Sequence, residues 1–172
     1  MSAIVLHKYN KQELLEIFKS FLDQSNFKIV SINEEQNEVH INDGVRRFIV
    51  HFMIKNVSCG GWESKKNIYR IQVANVKDDL IPTNRVKTHM LIGIVDYDGE
   101  YYLVVWNSYR YTKHNTQRSC YVNEESFEMC KEKGYILVRD FDQETWLCKK
   151  DKFSLLVRDY IEMNNCGEEI CY

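Results

Sequence analysis

Two short turn motifs, each next to runs of β-forming residues, constrain the fold of this chain most strongly. Asn42-Asp43-Gly44 leads into a β-rich run at 45–54, and Asp98-Gly99 connects 89–97 with 100–106. Asn, Asp and Gly at such positions are the strongest short-range signal for a β-hairpin. The second hairpin is almost entirely apolar, so we expect it in the centre of a sheet.

Helical patterns occur near both ends of the chain and once in its second half. Asn10, with Glu13 three residues later, predicts the start of a first helix. Asn123 and Gly134 bound a second helix, and Leu155, Leu156, Tyr160 and Ile161 lie at core spacing in a third. Further strands are predicted at 27–32, 68–73, 120–122, 135–139 and 145–148.

The order of these elements predicts the fold class. Strands follow one another in local hairpins and do not alternate βαβα with helices, which argues against a doubly wound parallel sheet. We therefore predict an α+β fold: a mainly antiparallel open β-barrel, or pseudobarrel, of about seven strands capped by helices. Residues 1–164 form a single domain in this interpretation, and residues 165–172 form a C-terminal tail.

Composition excludes several classes of protein. The 172 residues contain one proline and seven glycines, which leaves little material for a linker. No apolar stretch approaches the ~20 residues that cross a bilayer. The six cysteines include no CxxC pair, so we predict reduced thiols in a cytoplasmic protein, with no metal ligand set and no cofactor.

Charge is unevenly distributed along the chain, although the formal net charge is only −2. Six basic residues and the single acid Glu63 lie between 44 and 72, and no acid lies between 106 and 122. The acids concentrate at 34–38, at 124–144 and after 159. This segregation predicts one basic face on an otherwise acidic protein.

Aromatic, basic and amide side chains alternate in the polar stretch 106–118, after a buried strand. Arg and Lys contact phosphates, Asn, Gln and Arg bind base edges, and Tyr and Trp stack on bases. The pair Arg46-Arg47 and the loop 60–66 add two further basic segments at strand ends. Together they predict a clamp around a nucleic-acid backbone, although a solvated hairpin loop has a similar composition.

Three other interpretations remain open. Asp43, Glu63 and Lys65 could form the D…ExK triplet of a Mg²⁺-dependent nuclease, although Glu63 and Lys65 fall in a glycine-flanked loop and not on a strand. Cys59 could act as a nucleophile with His51, His89 or His114 as base, although nothing in the sequence brings them together. The third is a non-catalytic protein-interaction module, which an exposed apolar patch on the last helix would favour.

A resemblance to a known family covers the middle third of the chain. The run Gly60-Gly61-Trp62 with Tyr69-Arg70-Ile71-Gln72, followed by the hairpin that ends in Val104-Val105-Trp106-Asn107, resembles the N-terminal DNA-recognition domains of bacterial restriction systems. The similar domains are the B3-like or EVE-like readers of LlaJI-type and modification-dependent systems. The resemblance implies strand-end loops that grip double-stranded DNA, with cleavage and nucleotide hydrolysis carried by a nuclease or NTPase domain or subunit.

We therefore predict a DNA-binding domain of a restriction or phage-defence system, without catalysis of its own. It would read a specific sequence or a flipped modified base. The residues assigned to phosphates are Arg46, Arg47, Lys65, Lys66, Lys113 and Arg118. Those assigned to base edges are Arg70, Gln72, Asn107, Arg110 and Gln117, and those assigned to stacking are Trp62, Tyr109 and Tyr111.

Overall fold

The computed structural model describes residues 3–60, 67–74, 86–110 and 117–167, which form two sheets and three α-helices. The larger sheet contains β1 (Ile4–Val5), β2 (Lys28–Asn33), β3 (Glu38–Asn42), β4 (Arg47–Asn56), β7 (Thr88–Tyr97), β8 (Glu100–Trp106), β10 (Tyr135–Asp140) and β11 (Gln143–Cys148). The smaller sheet contains β5 (Ser58–Cys59), β6 (Ile68–Ala74) and β9 (Gln117–Asn123). The helices are α1 (Lys11–Gln24), α2 (Glu124–Lys133) and α3 (Phe153–Asn164).

The larger sheet has the strand order β10-β11-β8-β7-β4-β3-β2, and β1 pairs with the end of β7. The pairing of β4 with β7 is parallel, and the other pairings among the described strands are antiparallel. The predicted α+β class with three helices is thus confirmed, as are the hairpins at Asn42-Asp43-Gly44 and Asp98-Gly99. The predicted open barrel is not confirmed, because the described strands form two sheets and do not close into a barrel.

The larger sheet is buried on both sides because its central strands alternate apolar side chains between two cores. On one side, α1 and α3 pack against β4, β7 and β8, and Phe18, Phe21 and Phe153 meet in edge-on ring contacts. On the other side, the smaller sheet and α2 pack against β7, β8 and β11 through Trp106, Ile71 and other buried side chains. We call these the helix side and the front side.

Local sequence explains where the helices begin and end. Asn10 and Glu13 form the predicted capping box of α1, in which Asn10 Oδ1 accepts a hydrogen bond from the Glu13 N–H at 2.9 Å. Gly134 ends α2 with φ of 80°, a conformation that glycine adopts without strain. Asn123 stands at the N-cap of α2, but its side chain donates to Asp140 Oδ2 and not to the helix.

One prediction for the C-terminal region needs correction, and packing there extends past the last helix. Leu155 does not belong to the core, because its side chain is 43% exposed while Leu156 and Tyr160 of the same helix are buried. Cys166, which the sequence assigns to the tail, is buried with its Sγ 3.9 Å from Thr88 Oγ1. Packing therefore continues beyond α3. Among the described residues, no helix has the length and apolar character required to span a bilayer.

Candidate nucleic-acid interface

The front side carries a polar surface next to the smaller sheet. Packing from the smaller sheet reaches Met53 on β4 and Val57 just after its end. Further toward the start of β4, His51 is half-buried and Arg47 is exposed. These side chains alternate with Phe48, Val50 and Phe52, which face the helix side. The beginning of β4 thus presents a polar, partly basic surface on the front side.

The turn between β3 and β4 holds Arg46 at the edge of this surface. Asp43 Oδ1 accepts hydrogen bonds from the backbone N–H groups of Val45 and Arg46 at 2.9 and 2.7 Å. The Arg46 Nε lies 3.9 Å from Asp43 Oδ2, and its guanidinium stands over the Phe48 ring at 5.2 Å. These contacts leave the Arg46 side chain 45% exposed, so it remains accessible to an anion.

The Asp43 carboxylate stabilises the turn between β3 and β4. Burial alone would raise its pKa, but the N–H groups of Arg46 and Val45 and the charge of Arg46 together hold the pKa below its usual value. Asp43 is therefore ionised and engaged in backbone hydrogen bonds. Glu63 and Lys65, its partners in the nuclease interpretation, lie outside the described residues.

Arg70 and Gln72 project from the outer face of the smaller sheet, as their alternation along β6 predicts. Tyr69, Ile71 and Val73 are buried against the larger sheet, Arg70 is half-buried and Gln72 is exposed. In register, Arg70 lies between Ser58 and Tyr121, and Gln72 lies opposite Ser119. The Arg70 Nε is buried and has no hydrogen-bond partner among the described residues. A buried donor of this kind can take an acceptor from water or from a ligand.

Sequence reasoning did not identify Tyr121, which is Arg70's neighbour on this outer face. Its ring lies 5.5 Å from the Phe141 ring, centroid to centroid, and Gln143 Oε1 accepts a hydrogen bond from its backbone N–H. The signal was available, because Ser119, Tyr121 and Asn123 alternate with the apolar Cys120 and Val122.

Asn107 and Tyr109 are part of the internal structure. Asn107 is 4% exposed, its Nδ2 donates to Glu144 Oε1 at 3.0 Å, and its Oδ1 accepts from the Tyr109 N–H. The Tyr109 hydroxyl donates to Lys87 O and accepts from the His89 N–H. Burial raises the pKa of Tyr109 well above its usual value. Both side chains hold the 3-10 turn Ser108–Arg110 against the sheet, which favours a positioning role.

The structure describes the remaining predicted residues only in part. Arg110 ends the 3-10 turn, Gln117 pairs in register with Ala74, and Arg118 pairs with Val73, but their side chains are outside the described set. Trp62, Lys65, Lys66, Tyr111 and Lys113 lie wholly outside the described residues.

Register separates two of the predicted basic segments. Residue 66 precedes Asn67, whose carbonyl accepts the N–H of Glu124 at the acidic start of α2. Residue 116 precedes Gln117, which pairs with Ala74 at the opposite end of the smaller sheet. Asn67 and Gln117, which border the segments 61–66 and 111–116 in the sequence, therefore lie at opposite ends of the smaller sheet, and Gln117 lies at the end distant from α2.

A cavity of about 370 Å³ opens near the start of α1, at the Asn56 end of β4. Tyr9, Leu14, Phe52 and Asn56 contribute to its wall, and the Tyr9 backbone is tied to the Asn56 amide by two hydrogen bonds. None of the predicted contact residues lines it. Across the described part of the chain, no three His, Cys, Asp or Glu side chains are grouped to hold a metal ion.

Fold and surface together define an α+β domain with α1 and α3 on one side of a large sheet, and with α2, the smaller sheet and a polar, partly basic surface on the other. A family model described as Methylase-associated X1 matches residues 48–156. The match covers more than half of the 172 residues, and the chain belongs to this methylase-associated family. No curated protein and no solved structure matches the chain significantly.

The family is a domain tied to restriction-modification systems. The predicted association with such systems is thus confirmed at the level of the family. The matched segment begins at Phe48 and ends at Leu156. It includes β6 and β9 of the smaller sheet, on the front side, and most of β4 of the larger sheet.

Proposed function

We propose that this chain is a DNA-binding recognition domain of a restriction-modification system, with cleavage and nucleotide hydrolysis carried by a nuclease or NTPase domain or subunit. It binds double-stranded DNA on the front side and has no catalytic step of its own. The observation that carries the proposal is that Arg47 at the start of β4, and Arg70 with Gln72 on β6, lie on the same side of the larger sheet, with Arg46 in the turn at its edge.

Charge and exposure support this choice of surface. Arg46 and Arg47 are exposed at a strand start, where a phosphate can approach them without desolvating a core. In the sequence, Lys113 lies between the 3-10 turn Ser108–Arg110 and β9. Acidic side chains crowd the start of α2 at the other end of the smaller sheet and would repel a DNA backbone there.

Arg70 and Gln72 suit the reading of bases. Two polar side chains two residues apart on one strand point the same way and are about 7 Å apart along it. Arg binds guanine and Gln binds adenine through bidentate hydrogen bonds, and each such pair discriminates by ~1–3 kcal/mol. Because of the unsatisfied Arg70 Nε and the neighbouring Tyr121 ring, this outer face is the part of the surface best suited to contact bases.

Fluorescence anisotropy with short duplexes across a salt series tests the proposal. We expect affinity to fall steeply with salt, and Arg47→Ala to weaken binding to all sequences and reduce the salt slope by about one. Gln72→Ala should cost ~1–3 kcal/mol at one base position and leave the salt slope unchanged. Arg139→Ala is the matched control, because Arg139 is exposed on β10, where the alternate residues Tyr135 and Leu137 pack toward the helix side.

Unmodified, cytosine-methylated and adenine-methylated duplexes in the same assay distinguish the two reader types. Preference for a modification supports an EVE-like base-flipping mode, and a sequence preference without it supports a B3-like groove mode. No binding at low salt, or equal losses for Arg47→Ala and Arg139→Ala, would refute the DNA-binding proposal.

A protein-interaction module is the second candidate, and α3 provides the observation in its favour. Leu155 is 43% exposed and Met163 39% exposed on this helix. If Leu155→Lys together with Met163→Lys abolishes association with a partner subunit while DNA affinity is absent in the wild type, this second candidate replaces the first.

A further inference from the structure

The parallel pairing of β4 with β7 brings together two histidines from distant parts of the sequence. His51 and His89 are direct register partners, so their side chains leave the sheet side by side on the front side. Their Nδ1 atoms are 3.2 Å apart and their ring centroids 5.0 Å apart. Both residues are half-buried.

This geometry matches that of two ligands on one metal ion. Imidazole nitrogens bind Zn²⁺ at about 2.0–2.1 Å, which places two of them roughly 3.3 Å apart in a tetrahedral site. A straight N–H···N hydrogen bond would place the two ring centroids roughly 5.5 Å apart. The shorter centroid separation seen here means that the hydrogen bond between the two Nδ1 atoms is bent, with both nitrogens turned toward a common point that a metal ion would occupy in its place.

The sheet holds both imidazoles in place. The His89 backbone is fixed on both sides, because its N–H donates to the Tyr109 hydroxyl and its carbonyl accepts from the Ser108 and Tyr160 hydroxyls. His51 pairs in register with Glu38 on β3, and the Glu38 carboxylate binds the Lys87 ammonium. Two ligands on adjacent strands of a packed sheet lose little conformational freedom when an ion binds.

We propose that His51 and His89 form a binding site for a divalent first-row transition ion, with Zn²⁺ as the reference case. Each histidine binds through Nδ1 as the neutral imidazole, and solvent or an oxygen of a bound ligand completes the coordination. Imidazole ligands favour Zn²⁺, Ni²⁺ and Cu²⁺ over Mg²⁺ or Ca²⁺. The site is independent of the DNA-binding proposal and requires no catalytic role.

Calorimetric titration of the EDTA-treated full chain with Zn²⁺, and absorption spectra with Co²⁺, test the site directly. We expect one site whose affinity falls at least about tenfold in His51→Gln and in His89→Gln. The matched control is His40→Gln, since His40 lies on the neighbouring strand β3, half-buried and opposite Ile49. Binding should weaken as the pH falls, because protonated imidazoles do not coordinate a metal ion.

A thermal melt of each variant shows whether it folds, and Ala variants serve where Gln perturbs the strand. Unchanged Zn²⁺ affinity in both glutamine variants would overturn the proposal, as would an equal loss in His40→Gln. A wild type that binds no Zn²⁺ would show that the pair is only a hydrogen-bonded contact. None of these outcomes depends on whether the chain binds DNA.

Discussion

At the scale of single residues, burial separates side chains that look alike in the sequence. Asn107 and Gln72 are both amides that composition assigns to base edges, yet Asn107 is 4% exposed and bonded to Glu144, while Gln72 is exposed on an outer face. The alternation of β6 predicted the orientation of Gln72. No such period exists in the 3-10 turn after Asn107, so its inward orientation depends on contacts distant in sequence.

Asp43→Ala should destabilise the domain by about 1 kcal/mol at pH 7, because two backbone N–H groups lose their acceptor. The folded-state pKa of Asp43 lies below its unfolded value, so this contribution is present above the unfolded pKa of about 3.9 and is lost as pH falls through the folded pKa. Urea unfolding of both proteins at pH 7 and at pH 3 measures the difference, and a gap that grows on acidification would contradict this account.

At the scale of elements, close contact between the two sheets depends on one glycine. A Cβ at Gly93 on β7 would lie 2.9 Å from Val57 Cγ2 and 3.0 Å from Trp106 Cζ3. The Trp106 indole fills this space and donates its Nε1–H to Tyr121 O of the smaller sheet at 2.9 Å. The glycine thus permits the indole to link β8 to β9, and through β9 it positions the outer face that carries Arg70.

We expect Gly93→Ala to cost about 1–3 kcal/mol through overpacking between the sheets. In a Trp106→Phe background the same substitution should cost less, because the ring atoms that the new methyl group meets are gone. Urea unfolding of the wild type, the two single variants and the double variant gives the coupling energy between the two positions. Equal costs in the two backgrounds would mean that the methyl group acts through Val57 or the backbone and not through the tryptophan.

At the scale of the whole molecule, the larger sheet contributes side chains to two hydrophobic cores. β7, β8 and β11 contribute alternate side chains to the helix side and to the front side, as with Val105 and Val104 on β8. Loss of either layer would expose apolar surface of the same strands to water. The domain should therefore unfold as one cooperative unit.

Two buried tryptophans test this expectation, since Trp146 lies in the helix-side core and Trp106 in the front-side core. In a Trp62→Phe background, Trp106→Phe and Trp146→Phe each leave one reporter. Midpoints will shift between variants, but within each variant fluorescence and far-UV circular dichroism should coincide in urea. A Trp106 signal that changes before the dichroism does would show that the smaller sheet detaches first.

The sequence by itself determined the local structure: the hairpins at Asn42-Asp43-Gly44 and Asp98-Gly99, the capping box at Asn10 and the outward position of Gln72. Each of these depends on residues a few positions apart, where turn chemistry and side-chain period act directly. Tertiary structure decided the parallel pairing of β4 with β7, the burial of Asn107, the inward position of Tyr109, and the division of the strands into two sheets. These depend on contacts between residues dozens of positions apart, as between His51 and His89. The alternation of side chains along one strand does not specify which other strand pairs with it.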